Sequence, residues 1–353
     1  MPKPTVQRVH SARSLTRAQY DSMCVRAALV SRQLPTTSLP GQVVFSSGHP
    51  GQPLAFTQLS SYGATYGGLG LVKTSRRTWQ VLRRSGIPVP QSQAFAPGAQ
   101  SSAAAYAQRV GFPAVVSSLS GVHRRTAYDV ATFKGEFVAV AERVDDQVLV
   151  HSTVPGELLR FMVQGEQVLA VTGKGHRGAI EPEDLDPSLL QLAVDAVQAI
   201  PGLDTAAVTI STRRFTDTDV RRKALVERVM RSPHLRDYAG GSTRAALRLA
   251  DKLVQATAQN LGVELPPPTS PVVVRLRFTG VPDPEAFTPP LSAMITDLRN
   301  TTPLQGLTTM TDGAELHLKS TAAQIGFIIT RAILGFDDAA AYMVQTMPSA
   351  RIG

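Results

Sequence analysis

Three consecutive prolines, Pro266 to Pro268, with Pro271 close behind, constrain this chain more than any other feature. Proline lacks the backbone N–H that a helix or inner strand needs, and it pushes the residue before it out of the helical region. No regular element therefore crosses ELPPPTSP, and 263–271 is predicted to be a linker. Beyond it the pattern is strand VVVRLRF, helix Pro284 to Arg299, a hairpin around Thr311–Asp312–Gly313, helix Ala322 to Leu334 and strand AAYMVQT. This βαββαβ order predicts a ferredoxin-like α+β domain over 272–353.

Before the linker, helices are predicted over Thr74–Ser85, Ser101–Val110, Asp186–Ala199 and Arg244–Leu261. Strands are predicted at PAVVSSL, QVLVHSTV, LLRFMVQ, QVLAVTG, AAVTIST and ALVERVM, from short apolar or alternating runs. The helix over 244–261 is amphipathic, which suits a core-facing helix better than a partner surface. GATYGGLG, Gly63 to Gly70, fits a hinge; its spacing to Lys73 is not that of a phosphate loop.

Charge is distributed unevenly. Residues 1–127 hold fourteen Lys and Arg against one acid, Asp21, giving +13, while the rest carries −4, which makes the net +9. Leu15 to Leu34 has only mixed helical periodicity before Pro35 and Pro40, so 1–45 is predicted to be a basic N-terminal arm. A one-signed field of this kind suits a polyanion or an acidic surface, with Arg8, Arg13, Arg17, Arg26 and Arg32 as contacts, or else a solvated basic face. No apolar run reaches the roughly 18–20 residues of a membrane span, and Met1 to Arg17 lacks a signal peptide's apolar block. The expected setting is the cytoplasm or a large particle, with no membrane partner. A single cysteine, Cys24, excludes an intramolecular disulfide and a multi-cysteine metal site.

Motifs from Lys73 to Val254 carry a family resemblance. KTSRRTWQVLRRSGIPVPQSQAF, GFPAVVSSLSGVHRR, VLVHSTVPGELLRFMVQGEQVLAV, PGLDTAAVTI and VERVMRSPHL stand in the order of the ATP-grasp superfamily motifs. The chain is closest in flavour to the cyanophycin-synthetase, ribosomal-S6-modification and glutathione-synthetase-like carboxylate–amine ligases. The resemblance implies an α+β, two-subdomain ATP-grasp-like domain over 46–262. It also implies a chemistry in which ATP phosphorylates a carboxylate and an amine displaces the phosphate, with magnesium on the phosphates.

Carried over residue by residue, the resemblance puts Thr209, Arg228 and Met230 where the family has its Asp, Glu and Asn magnesium ligands. Ser117 stands for the phosphate-contacting lysine, Arg124 and Thr126 for lid glycines, and His151 for the hinge carboxylate. Methionine sulfur is a poor ligand for magnesium, and arginine sets a fixed positive charge where the cation would sit. Lys73, the Gly86–Pro90 turn, Gly111–Pro113, Gly156, Arg160 and Ser232–Pro233 are retained. A shift in alignment would offer Glu227 and Asp204 instead, but in a regular strand it turns the side chain to the other face.

Other chemistry is thinly represented. The seven histidines show no HxH, HxxxH or HExxH spacing, and there is no G-x-S-x-G elbow. Gly175–Gly178 and Arg124–Arg125 fit an anion contact or a solvated loop. The expected function is a catalytically inactive ATP-grasp-like protein, without cofactor or metal, in a larger assembly such as a phage virion. One alternative is an ATP-dependent carboxylate–amine ligase with relocated metal ligands, using ATP and magnesium, in which Lys73 and Arg160 contact nucleotide and phosphate. The other is a nucleic-acid-binding module built on the basic N-terminal third.

Overall fold

The computed structural model describes residues 12–46, 53–173, 179–213, 224–336 and 339–349. Two compact units share them: one built from the chain up to Tyr62 and from His234 onward, the other from Gly63 to Pro233.

The first unit opens with α1 (Arg17–Ser31), whose start is fixed by a capping box between Thr16 and Gln19. Strands β1 (Thr36–Leu39), β2 (Val43–Ser46), β3 (Leu54–Thr57) and β4 (Ser60–Ser61) follow as an antiparallel meander.

The second unit begins with α2 (Tyr66–Leu71) and α3 (Ser75–Arg84), then β5 (Ser92–Phe95), α4 (Gln100–Val110), β6 (Ala114–Ser118), β7 (Arg124–Ala127), α5 (Val130–Ala141) and β8 (Val148–Ser152). The four strands form an antiparallel sheet in the order β5-β8-β6-β7. Phe133, Phe137, Tyr106 and Val150 fill the core beneath α4 and α5. Next come β9 (Glu157–Gln164), β10 (Gln167–Gly173), β11 (Ala179–Ile180), α6 (Pro187–Gln198), β12 (Thr205–Thr212) and β13 (Leu225–Met230), with sheet order β11-β10-β9-β12-β13. Its core gathers Phe161, Val208, Leu189 and Leu192 with Trp79 and Leu82 of α3. Two sheets, each with its own helices and core, make this unit the two-subdomain α+β structure that the motifs imply.

The chain then returns to the first unit through α7 (Leu235–Tyr238) and α8 (Thr243–Asn260). It ends in β14 (Val272–Thr279), α9 (Pro284–Asp297), β15 (Thr302–Met310), β16 (Gly313–Ser320), α10 (Ala322–Leu334) and β17 (Met343–Pro348). The order β15-β16-β14-β17, antiparallel throughout, is the ferredoxin-like arrangement. Pairing of β17 with β1 extends it to eight strands.

Three features differ from the sequence reading. Residues 17–31 are a core helix, because α1 buries Tyr20 through Val30 between α10 and α8. A helix buried on nearly every side has no single apolar stripe, which is why its periodicity was mixed. The described part of the predicted arm is thus folded, with α1 joining β1 and β2 in the first unit. Secondly, ELPPPTSP stops α8 but does not separate two units: Arg32 donates to both carboxylate oxygens of Asp251 (2.9 and 3.0 Å) and to the Pro266 carbonyl, while the Thr269 N–H donates to the Ser31 carbonyl. The prolines are strapped to α1. Thirdly, GATYGGLG is helical from Tyr66 onward, as α2, where Gly68 packs on the backbone of Gly202. Among the described residues no helix is long and apolar enough to cross a membrane.

Candidate functional site

In the second unit, antiparallel register sets Arg160 of β9 opposite Thr209 of β12, and Thr209 opposite Arg228 of β13. Directly opposed residues point to the same face, so the three form one row. The next rung pairs Ile210 with Val226, leaving Glu227 as an extra residue, a β-bulge.

The bulge decides where Glu227 goes. Its carboxylate accepts from the guanidinium of Arg124 and from the Thr153 hydroxyl, one on each oxygen. The guanidinium of the next residue, Arg228, donates to the Ser120 carbonyl at 3.1 Å. Ser120 and Arg124 belong to the same β6–β7 hairpin, so consecutive side chains of β13 reach one neighbour. An unbroken strand would send them to opposite faces, and the expectation that Glu227 turns away is corrected accordingly. The hairpin closes tightly, with the Ser118 N–H on the His123 carbonyl (2.8 Å) and the Gly121 N–H on the Ser118 carbonyl (2.9 Å). Arg124 and Arg228 tie it to β13 in both directions.

His151 of β8 completes the cluster. It is buried, with Nδ1 2.9 Å from the Ser152 carbonyl and its ring edge-on to Trp79 at 4.9 Å between centroids. Burial pushes its pKa down to about 4 against the opposing pull of Glu227, so the ring is neutral at pH 7. Burial alone would raise the Glu227 carboxyl, but Arg124, His151 and the hydroxyl of Thr153 outweigh it and hold the group below its usual range. Arg228 is lowered by burial and by the positive charges of Arg124 and Arg160.

The remaining predicted positions are scattered. Ser117 is buried in β6 opposite Arg124, and Met230 lies opposite Ala207, at the far side of Arg228 from the bulge. Lys73 is exposed with its ammonium 5.8 Å from the Tyr66 ring centroid. Asp204 lies at the other end of β12, beside Thr205 and Gly165, about 16 Å along the strand from Thr209. Gly175–Gly178 and Arg8 fall outside the described residues, as does the side chain of Arg13. Arg26 is buried and donates to Ser38 and Thr330, Arg32 holds Asp251, and Arg17 pairs with Asp237 at 3.2 Å. Arg26 and Arg32 are therefore interior groups, while the side chain of Arg17 stays exposed beside Asp237.

Magnesium asks for about six hard oxygen ligands in near-octahedral geometry. Among the described residues no group of three or more His, Cys, Asp and Glu is placed to hold a metal. Glu227, the carboxylate at the row among the described residues, already has both oxygens engaged. The described residues do not fit the two-magnesium site that the resemblance implies. Arg124, Glu227 and Thr153 were missed as a cluster because only the bulge brings them together; the acid one place before the aligned Arg228 was the available signal.

No protein-family model and no curated protein matches the sequence. Solved structures do. A bifunctional glutathione synthetase from Pasteurella multocida is 16% identical with a TM-score of 0.45, covering 63% of this chain and 41% of that one. The ATP-grasp ligase PsnB, complexed with a phosphomimetic variant of its minimal precursor, Mg and ADP, is 19% identical with a TM-score of 0.41, covering 54% and 59%. A D-alanine–D-alanine ligase from Bacillus anthracis complexed with ATP is 18% identical with a TM-score of 0.42, covering 56% and 68%. The matches to the first two span less than two thirds of those proteins, and all three are likenesses of fold. They do correct one expectation: a chain of this fold was expected to have no cofactor, whereas two of these structures hold ATP, or Mg with ADP.

Proposed function

We propose that the chain is an ATP-grasp-like protein without ligase activity, acting as a binding or structural component of a larger assembly such as a virion, with adenine nucleotide as a ligand class that its fold still accommodates. The observation that carries the non-catalytic part is the double tie of Arg124 to Glu227 and Arg228 to the Ser120 carbonyl. Guanidinium groups and an engaged carboxylate at or beside the positions that the motifs align with magnesium ligands support this reading. Support for the assembly part comes from β15, which lies at the edge of the eight-stranded sheet, is exposed along nearly its whole length, and carries no charged residue in TPLQGLTTM. Long uncharged edges are templates for strand pairing.

One observation favours a second reading. The bulge turns Glu227 toward the row, which is what an ATP-dependent carboxylate–amine ligase with relocated ligands would use. Phosphate release from Mg-ATP by the full chain, with a mixture of amino acids as acceptors, separates the two. Release at the level of a buffer control is expected. Release that scales with protein and disappears in Glu227→Gln would overturn the non-catalytic reading in favour of the ligase.

A further inference from the structure

The two sides of α8 differ in kind. Ala246, Leu249, Ala250 and Leu253 are buried in the first unit, which accounts for the amphipathic pattern of the sequence. On the outer side Arg244, Arg248 and Lys252 follow one another at four-residue steps, so their side chains form one exposed stripe about 12 Å long. Like charges one turn apart destabilise a helix, and among the described residues none of the three side chains has an ion pair or hydrogen bond to offset this. The stripe borders a groove of about 760 Å³, lined by Ala27 and Ala28 of α1, by Leu247, and by Ala322 and Ala323 in the first turn of α10. That volume lies within the range of about 300–1,000 Å³ found for ligand sites, and the lining is mostly apolar, as theirs is. Asp251 also borders the groove, but Arg32 takes both of its carboxylate oxygens and offsets the one negative charge among the lining residues.

We propose that this groove receives an acidic amphipathic helix of a partner protein. A basic stripe beside an apolar trough is complementary to a helix that carries Glu or Asp at one-turn spacing next to an apolar stripe. The alanines of α1 and α10 leave room for apolar side chains of the incoming helix to enter, and their small size lets its axis come close. Three cations in line exceed what the single head of a fatty acid engages. A nucleic-acid backbone would take the cations and leave the apolar floor exposed to water. A second copy of this chain is a poor match, because no described helix carries two acids three or four places apart. The proposal rests on the assembly part of the proposed function and deepens it by naming the chemistry of one partner and the surface that it meets.

The test is fluorescence anisotropy with the full chain and a labelled helical peptide about 18 residues long, carrying Glu at every fourth position beside a stripe of leucine and alanine. A second peptide has Gln in place of each Glu. Saturable binding of the Glu peptide is expected, weakening as salt rises, with the Gln peptide at least about tenfold weaker. Arg248→Glu combined with Lys252→Glu, both at exposed positions, should weaken binding by at least about tenfold. Ala323→Trp fills the groove and keeps its charges, and should weaken binding by a similar factor; where it loses the wild-type melting transition, Leu247→Gln carries the comparison. Absence of saturable binding, equal affinity for the two peptides, or unchanged affinity in the folded variants would each overturn the proposal. Laurate that binds while the Glu peptide does not would assign the groove to a small amphiphile, and overturn it as well. The titration contains no nucleotide, so its failure removes this surface and leaves the non-catalytic assembly reading to the phosphate-release assay. Turnover of Mg-ATP would overturn that reading and leave the groove in place.

Discussion

Arg124 and Glu227 are ion-paired between the β6–β7 hairpin and β13, with the Glu227 side chain fully buried and that of Arg124 partly exposed. Removing one partner of a buried pair leaves an uncompensated charge, which costs about 3–5 kcal/mol, whereas replacing both with apolar groups of similar volume is often neutral. Arg124→Ala is therefore expected to lower unfolding stability by about 3 kcal/mol. The double variant Arg124→Leu with Glu227→Leu should recover most of that loss in urea titrations. Equal losses in the single and double variants would show that the pair does not hold the hairpin.

Acid should weaken the second unit in two stages. His151 titrates near 6.5 when exposed and at about 4 in the fold. Between those values the unfolded chain takes up a proton that the folded chain refuses, so stability falls as pH falls through this window. Glu227, held below its usual 4.5, adds a further loss beneath that value. His151→Phe keeps a ring against Trp79 and removes the upper stage. Melting temperatures taken from pH 7 to 4.5 should fall less in the variant than in the wild type; parallel slopes would mean that His151 is not buried neutral.

The sequence made the regular elements of the second unit legible because its strands are short apolar runs, such as Ala114–Ser118, and its helices carry clean stops at Gly86 and Gly111. Arg160, Thr209 and Arg228 could each be singled out in the sequence, but that they face one another comes from the strand pairing. The place of Glu227 beside them was not legible, because a bulge is a property of the pairing of two strands and leaves no mark in one of them. The same limit hid α1. Its arginines looked like an exposed basic arm, and only long-range partners, Thr330 for Arg26 and Asp251 for Arg32, show them to be interior groups.

Gly70, inside the Gly63–Gly70 stretch, and Gly202, on which that stretch packs, should respond oppositely to alanine. At Gly202, φ is +73° and a Cβ would lie 2.0 Å from the Thr65 hydroxyl oxygen, while at Gly68 it would lie 2.4 Å from the Gly202 backbone. Overpacking together with a left-handed backbone at Gly202 predicts a loss of about 3 kcal/mol for Gly202→Ala. Nothing lies within 4 Å of a Cβ at Gly70, which sits in α2. Gly70→Ala should leave stability unchanged or raise it by up to about 1 kcal/mol. A flexible hinge would be indifferent at both positions, so urea midpoints for the two variants distinguish a packed helix from a hinge.

Arg26 offers the sharpest contrast between an arm and a core. Its side chain is 1% exposed, donates to the Ser38 and Thr330 hydroxyls, and faces no carboxylate among its described partners; burial pulls its pKa down to about 10. Around it, α10 approaches α1 so closely that a Cβ on Gly326 would fall 2.6 Å from the Met23 carbonyl oxygen. An arginine that served a polyanion from an exposed arm would lose ligand affinity on conversion to methionine and leave stability alone. A buried one behaves in reverse: Arg26→Met trades two neutral-acceptor hydrogen bonds for the relief of desolvation, leaving stability within about 1.5 kcal/mol of the wild type. Arg26→Glu places an unpaired carboxylate in the same apolar packing and should prevent the first unit from folding. Soluble yield and the urea midpoint read both variants, and a stable, fully folded Arg26→Glu protein would return this helix to the surface.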